Sequence, residues 1–196
     1  NLVVIELKRM ADKPQLFGTD GVRGVAGHPP LDPTTLWKLG FAIGSVLGRE
    51  NTPRSKSVVL GEDTRESSAW ISRTLAAGLR ASGMTVTYAG VISTPGVAFL
   101  TRHHGFAAGI MVSASHNPFE DNGIKVLASS GMKLAEPVEI AIERALDAAD
   151  SVAVAEGETP LQPAAALHED YVEFLVKLGG ERSHFSGLGV VADCAN

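Results

Sequence analysis

The sequence predicts an α/β fold, a three-layer αβα domain with a mixed, mostly parallel sheet. Three observations lead to this prediction. Short apolar runs alternate with stretches that have the apolar spacing of amphipathic helices, and the connections between them are short. Such alternation favours right-handed crossovers, which leave helices on both faces of a sheet. A chain reversal near residue 122 adds a strand that we expect to run antiparallel.

The first half of the chain contains two predicted helices and two predicted strands. After a glycine-spaced loop at residues 16–24, Asp32 or Thr34 can cap a helix whose apolar residues have the spacing of one buried face. A second helix is capped near Ser67 or Ser68 and stops at a glycine. Strands are predicted at residues 57–60 and 85–89.

The second half begins with a helix whose cap we expect to be the Thr94 hydroxyl, with a proline at the first helical position. A buried strand at residues 107–112 is the centre of the predicted sheet. Asn122-Gly123 is interpreted as a turn into the next strand. Further helices are predicted at residues 137–149 and 168–178, a linker at 150–166, a strand at 124–127, and the first strand of a following domain at 187–196.

The composition is that of an ordinary globular protein, and it argues against two classes of partner. With 44% hydrophobic residues and a net charge of -5, the chain lacks the basic face that general binding to nucleic acid or to a membrane surface requires. No apolar stretch approaches the roughly 18 residues of a membrane span. The single cysteine, Cys194, rules out an internal disulfide framework and fits a reducing compartment.

Reactive side chains concentrate at the end of the predicted central strand. There Ser115 lies beside His116, and Lys125 returns on the following strand. Loops at the carboxyl ends of parallel strands share one edge of an open sheet, so we expect the loops that contain Arg23 and residues 63–65 to lie near them. Several cationic side chains around one hydroxyl are typical of a phosphate site, which favours phosphoryl transfer over acyl transfer.

Simpler interpretations of the same residues remain open at this point. A Ser-His pair is common by chance, and Asn117-Pro118 is typical of an ordinary turn. Arg65 is explained equally well as a helix-start residue in a surface pair with a neighbouring carboxylate. The residues alone therefore leave open whether Ser115 has a function.

The histidines and carboxylates suggest no metal site. His103 and His104 are adjacent, adjacent side chains on a helix point in different directions, and no third ligand has a suitable spacing. We therefore expect these two histidines simply to favour the carboxyl end of a helix. No Asp-x-Asp-x-Asp cluster of the kind that binds magnesium occurs in the chain.

Five motifs, taken together and in order, carry a more specific resemblance. They are Phe17-Gly18-Thr19-Asp20-Gly21-Val22-Arg23-Gly24, Gly61-Glu62-Asp63-Thr64-Arg65, Thr94-Pro95, Ser113-Ala114-Ser115-His116-Asn117-Pro118 and Asp121-Asn122-Gly123-Ile124-Lys125. The chain resembles the amino-terminal domain of the α-D-phosphohexomutase superfamily over roughly residues 15–196. The motifs are most similar to those of bacterial phosphoglucosamine mutases, with phosphomannomutase/phosphoglucomutase second.

The resemblance implies a four-domain cytoplasmic enzyme that moves a phosphate between the 6- and 1-positions of a hexose. The first candidate for its substrate is glucosamine phosphate. In such enzymes the serine that matches Ser115 is carried as phosphoserine and exchanges its phosphate with the sugar through a bisphosphate. Arg23 and Lys125 match cationic residues near the transferring group, with Lys125 a candidate general acid or base. His116 matches a supporting histidine. A phosphate oxygen on Ser115 would also be a ligand of Mg2+, which is the implied cofactor.

The resemblance also implies a domain organisation and partners. Residues 1–13 are expected to be a flexible extension, residues 14–182 a phosphohexomutase domain I with its phosphoserine loop and a linking helix, and residues 187–196 the start of a truncated domain II. The expected partners are a phosphorylated hexose, its 1,6-bisphosphate and a second copy in a homodimer, with no nucleic acid and no membrane. The family's metal, sugar and carboxyl-terminal phosphate loops do not occur in these residues, so we expect the chain alone to be inactive.

Two other functions compete with this one. A non-catalytic domain that binds sugar phosphates on the same scaffold would usually lose Ser115 or Lys125, and both are present. A serine hydrolase needs a Gly-x-Ser-x-Gly elbow and a distant acid-histidine pair, and neither accompanies Ser115. The sequence therefore favours a phosphohexomutase acting on glucosamine phosphate. Its alternatives are a phosphoglucomutase/phosphomannomutase and the binding domain.

Overall fold

The structure is a computed structural model that describes residues 16–48, 56–149, 160–180 and 186–193. Within these residues, five strands and five helices follow one another along the chain. The strands are β1 (Val22–Val25), β2 (Ser57–Glu62), β3 (Thr85–Val91), β4 (Ala108–Val112) and β5 (Asp121–Ala128), and the helices are α1 (Pro33–Leu47), α2 (Ser68–Ala81), α3 (Thr94–His104), α4 (Glu136–Ala148) and α5 (Ala165–Gly179).

The five strands form one mixed sheet in the order β1-β5-β4-β2-β3. β2 pairs in parallel with β3 and β4, whereas β5 pairs antiparallel with β4 and β1. Four of the five strands therefore run in the same direction, as predicted. The parallel strands β2, β3 and β4 end at one edge of the sheet, which is where open α/β sheets usually bind ligands.

Alternating side chains of the strands fill two separate cores. Val58 and Leu60 of β2 pack in a core with α1, α2 and α4, whereas Val59 between them packs in a second core with α3 and α5. This alternation follows from the two-residue period of a strand, which sends successive side chains to opposite faces. Helices cover both faces of the sheet, so the three-layer prediction is confirmed.

Two helix starts show how local chemistry sets the element boundaries. Asp32 caps α1, since its Oδ1 accepts a hydrogen bond from Thr35 N at 3.1 Å. Burial raises the pKa of Asp32, but hydrogen bonds from Thr35 outweigh burial and keep this pKa below its ordinary value. In α3 the cap is Ser93, whose Oγ accepts from Gly96 N at 3.3 Å. The predicted Thr94 cap is wrong by one residue, because Ser93 has the extended backbone of a cap.

Two features of the sheet differ from the prediction. Residues Val22–Val25 form the edge strand β1, which the sequence analysis treats as part of a loop. Asn122 and Gly123 lie inside β5 and form no turn, so the reversal occurs earlier, at residues 113–120. A Cβ on Gly123 would lie 2.9 Å from Ser113 O and 3.0 Å from Val22 O. Glycine is required at this position because neighbouring backbone atoms of the sheet leave no space for a Cβ, and not because the chain turns there.

The strand predicted from residue 187 is not formed in the described residues 186–193, which are exposed. A strand needs a neighbour that pairs its backbone N–H and C=O groups, and none of the described strands pairs with this segment. The predicted extension at residues 1–13, residues 150–159 of the linker, and Cys194 lie outside the described residues. Among the described helices, none has the length and apolarity that a membrane crossing requires.

Candidate functional site

Three loops meet beyond the carboxyl ends of β2 and β4. They precede β1, follow β2 and connect β4 to β5. Arg23 donates a hydrogen bond from Nη1 to Asn117 Oδ1 at 2.8 Å, which joins the first loop region to the third. Arg65 donates from Nη2 to Ser115 O at 3.0 Å, which joins the second to the third. The loops that the sequence analysis expects to converge therefore contact one another.

Ser115 is presented near the tip of the loop between β4 and β5. Its backbone has a φ of 60°, and it is the one described residue other than glycine with a positive φ. Ser115 N donates a hydrogen bond to Ser113 Oγ at 3.0 Å, and Ser115 Oγ lies 3.4 Å from His116 Nδ1. Ser115 and His116 are both exposed. A left-handed backbone at such a residue persists only where its surroundings hold it, and it is frequent at functional sites.

Arg65 holds this loop by its backbone. The two terminal nitrogens of its guanidinium donate four hydrogen bonds, at 2.6 to 3.0 Å, to carbonyl oxygens 50 to 56 residues away. The planar fork of arginine is suited to several simultaneous acceptors. The expected pair with Asp63 is formed, but Arg65 is mostly buried and its other partners are distant carbonyls that carry no sequence signal, so a surface pair does not describe its role. The carbonyls belong to Ser115, Asn117, Pro118 and Asp121.

Buried polar groups position Arg65 in turn. Asp63 Oδ2 accepts a hydrogen bond from Arg65 Nε at 3.3 Å, and Asp63 Oδ1 accepts one from Ser68 Oγ at 2.6 Å. Asn122 is fully buried in β5 and donates from Nδ2 to Ser67 Oγ at 2.8 Å and to Ser68 Oγ at 3.1 Å. The start of α2, the loop after β2 and the strand β5 thus form one network. This network fixes the arginine on which the Ser115 loop rests.

Asp20 links two cationic side chains beside the loop. Its Oδ2 lies 2.9 Å from Lys125 Nζ and also forms an ion pair with Arg23 Nη2. The hydrogen bond from Lys125 is the main reason that the pKa of Asp20 lies below its ordinary value; attraction to Lys125 and Arg23 adds to this effect, and partial burial opposes it. Since Arg23 also binds Asn117, both cations are connected to the Ser115 loop through this carboxylate. They flank the loop, whereas the side chain that contacts the Ser115 hydroxyl is His116.

An open cleft of about 920 Å³ lies against the loop. This volume is in the range of small-molecule sites. Its lining combines hydroxyl, aromatic and carboxylate side chains, among them Ser115, Trp70, Phe119, Glu66 and Glu120. Of the four predicted site residues, Ser115 belongs to the lining of this cleft. His116 lies in the same loop outside the lining, and Arg23 and Lys125 flank the loop from β1 and β5.

The arrangement is suited to holding an anionic group on Ser115. The hydroxyl is exposed on a loop whose backbone carbonyls are held by Arg65, a histidine lies beside it, and the cationic side chains of Arg23 and Lys125 lie close to the loop. Fixed positive groups of this kind stabilise a phosphate or another anion at low cost in reorganisation. The residues therefore favour group transfer through Ser115 over a purely structural role of the loop.

Comparison with known proteins identifies the family of the chain. Residues 14–153 match the family described as phosphoglucomutase/phosphomannomutase, alpha/beta/alpha domain I. The phosphoglucosamine mutase of Koribacter versatilis is 51% identical, with 94% of this chain and 41% of the relative covered. The phosphoglucosamine mutase of Deinococcus radiodurans is 46% identical, with 92% and 40% covered. The chain thus spans about two fifths of the length of these curated relatives.

Solved structures give the same result. A protein of Thermus thermophilus that is described as a phosphomannomutase is similar with a TM-score of 0.75 and 32% identity, over 91% of this chain and 39% of that chain. A phosphoglucomutase/phosphomannomutase family protein of Burkholderia thailandensis is similar with a TM-score of 0.64 and 27% identity, over 83% and 35%. Sequence and fold agree, and the chain therefore belongs to the phosphoglucomutase/phosphomannomutase family, of which it carries the α/β/α domain I.

Proposed function

We propose that the protein containing this chain is a phosphohexomutase and that Ser115 carries the phosphate. It would interconvert hexose 6-phosphate and hexose 1-phosphate, with glucosamine phosphate as the first candidate because the similar relatives are named phosphoglucosamine mutase. One observation carries the proposal: the exposed Ser115 hydroxyl borders a cleft while Arg65 and Ser113 hold its backbone. In-line transfer to a sugar hydroxyl requires such a fixed position.

The proposed transfer step removes a proton from the sugar oxygen and delivers one to Ser115 Oγ. A sugar hydroxyl oxygen forms a bond to phosphorus while the bond from phosphorus to Ser115 Oγ breaks, so the sugar loses a proton and Ser115 gains one. His116 Nδ1, 3.4 Å from Ser115 Oγ, is placed to supply that proton. Lys125 is our candidate for the proton of the sugar hydroxyl. The return step uses the other phosphate of the sugar bisphosphate and restores phosphoserine.

The cations around the loop suit a phosphorylated Ser115. A phosphoserine carries nearly two negative charges at neutral pH. Arg23, Lys125 and, when protonated, His116 can offset this charge. Asp20 already shares Arg23 and Lys125, so we propose that a phosphate on Ser115 competes with this carboxylate for the two cations.

The described residues near Ser115 do not by themselves offer a site for the Mg2+ that the resemblance implies. Mg2+ prefers several oxygen ligands in an octahedral arrangement. Near Ser115, the carboxylate of Asp63 is bound by Arg65 and a serine, and that of Asp121 accepts a hydrogen bond from Asn117. In the described residues, no three acidic or histidine side chains converge around Ser115. Apart from a phosphate oxygen on Ser115, the ligands would therefore come from outside these residues.

The remaining proposals concern the whole protein. Residues 14–182 would be domain I with its linking helix, residues 1–13 an extension, and residues 187–196 the start of domain II. The partners would be a phosphorylated hexose, its 1,6-bisphosphate and a second copy in a homodimer, in the cytoplasm and without nucleic acid or membrane. Because the chain spans about two fifths of its curated relatives, we propose that it is inactive by itself.

Phosphosite mapping on the whole protein tests this function. The protein is incubated with a hexose 1,6-bisphosphate and Mg2+ and analysed by tandem mass spectrometry, which separates Ser113 from Ser115 within one peptide. We expect phosphate on Ser115, none in Ser115→Ala, and unchanged labelling in Ser129→Ala, which alters an exposed serine after β5. Steady-state kinetics with glucosamine, glucose and mannose phosphates then identify the sugar.

Two outcomes would contradict the proposal. A folded protein that binds the bisphosphate without labelling of Ser115 would support the non-catalytic sugar-phosphate-binding domain. Labelling at Ser113 in its place would move the carrier to a side chain that is 6% exposed and engaged by Ser115 N.

A further inference from the structure

We propose that His103, His104 and Asp170 bind a divalent transition-metal ion such as Zn2+. The two histidines are the last residues of α3, and Asp170 lies on the neighbouring helix α5. One ligand atom of each side chain lies within 4.8 Å of the other two. This site does not depend on the proposed chemistry of Ser115.

The structure removes both objections that the sequence raises against a metal at these histidines. Asp170 is the third ligand that no sequence spacing reveals, and its Oδ2 lies 2.9 Å from His104 Nε2. Adjacent side chains on a regular helix diverge, but the rings of His103 and His104 stand edge to face with their centroids 5.0 Å apart. The helix ends there at Gly105, which has a left-handed backbone. Both imidazoles can therefore reach the same ion.

The donor set matches the chemistry of Zn2+ and similar ions. Two imidazole nitrogens and one carboxylate oxygen, at bond lengths of about 2.0–2.2 Å, leave a fourth tetrahedral position for water. The ligand atoms would have to close to separations of about 3.3 Å in such a tetrahedron. His103 and His104 are exposed and Asp170 is half-buried. The His103 ring stacks on Phe99 at 4.9 Å and the His104 ring lies 5.8 Å from that of Phe106, so the movement has to displace these ring contacts. The carboxyl end of α3 also carries the negative end of the helix dipole, which favours a cation.

Position separates this site from the Ser115 loop. α3 ends just before β4 begins, whereas Ser115 follows the end of β4. The 5 residues of β4 span about 16 Å, so the two sites lie at opposite ends of the strands. An ion bound here would join α3 to α5 and leave the cleft open. Its expected role is to fix α5 against the domain.

Isothermal titration of the metal-free whole protein with Zn2+ tests this inference. We expect a binding event that weakens about tenfold or more in each of His103→Ala, His104→Ala and Asp170→Asn. His28→Ala removes an exposed histidine far from the cluster, and Glu169→Gln alters the acidic neighbour on α5; both should bind within about twofold of wild type. Any other Zn2+ site in the protein is common to all variants, so their differences report this cluster.

A second measurement keeps the test independent of folding. His104→Gln can still form a hydrogen bond with Asp170 but has no imidazole, so it should keep the wild-type unfolding midpoint in chelator and lose the rise in midpoint that added Zn2+ gives wild type. Equal Zn2+ affinity in wild type and all three cluster variants would overturn the proposal. Wild-type affinity in His103→Ala alone would also overturn it, because the contact would then be an ordinary His104–Asp170 pair.

Discussion

Replacement of Arg65 with alanine should release the Ser115 loop. Of the four hydrogen bonds that Arg65 donates to loop carbonyls, the two to Asn117 and Asp121 are partly buried and the other two are exposed. A hydrogen bond with a charged group contributes about 1.5–3 kcal/mol, and less where water can replace it. Two partly buried bonds therefore predict a loss of about 3 kcal/mol in the free energy of unfolding. Misplacement of Ser115 by about 1 Å should slow phosphate transfer about a hundredfold.

The assay combines urea unfolding with the rate at which a hexose 1,6-bisphosphate labels Ser115. Arg65→Lys keeps the charge but cannot donate to four carbonyls from one planar group, so we expect it to restore little of the rate. Arg102→Ala removes an exposed arginine of α3 and should change neither quantity. A wild-type labelling rate in Arg65→Ala would refute the reasoning. Full rescue by Arg65→Lys would show that charge, and not the shape of the guanidinium, matters.

Other substitutions test separate parts of the structure. Gly123→Ala should destabilise the protein by about 1–3 kcal/mol in urea, because its Cβ would lie 2.9 Å from Ser113 O; Gly179→Ala, with nothing within 4 Å, is the control. Asp32→Ala removes the cap of α1 and should cost about 1 kcal/mol. Folding lowers the pKa values of Asp20 and Asp32 from their ordinary value of 3.8. The ionised carboxylates therefore stabilise the folded protein fully above this ordinary value, and their stabilisation is lost as the pH falls through the folded pKa. Asp32→Asn should therefore lose less stability than wild type between about pH 5 and about pH 2, and an equal loss would contradict this.

The layers of the fold could be predicted because they depend on local patterns. The apolar period of each helix, the buried run that became β4 and the glycine after His104 are all visible in a few consecutive residues. The edge strand β1 could not be predicted, because its pairing partner β5 lies about a hundred residues later and the strand has four residues. The turn predicted at Asn122 is wrong for a related reason. Asn-Gly is typical of a turn, but the side chain of Asn122 is buried against the serines that start α2, which are distant in the sequence.

The candidate site was predicted only in part, because several of its contacts are made to backbone carbonyls or between separate helices. The position of Ser115 follows from the carboxyl ends of parallel strands, which meet at one side of the sheet. Arg23 and Lys125 lie within β1 and β5 and approach the loop from there. The role of Arg65 does not follow, because backbone carbonyls accept hydrogen bonds whatever the residue type. The approach of Asp170 to His104 likewise depends on how α5 packs against α3, which no spacing within either helix encodes.

The left-handed backbone of Ser115 implies a conflict between stability and the phosphate transfer that we propose for this residue. A non-glycine residue at a φ of 60° costs about 1 kcal/mol, and glycine would relieve this cost. Ser115→Gly should therefore fold as well as wild type or better, yet it has no hydroxyl to carry a phosphate. Selection for stability alone would remove this serine. In a library of loop variants, we therefore expect that replacements of Ser115 that raise the unfolding midpoint also lose phosphate transfer.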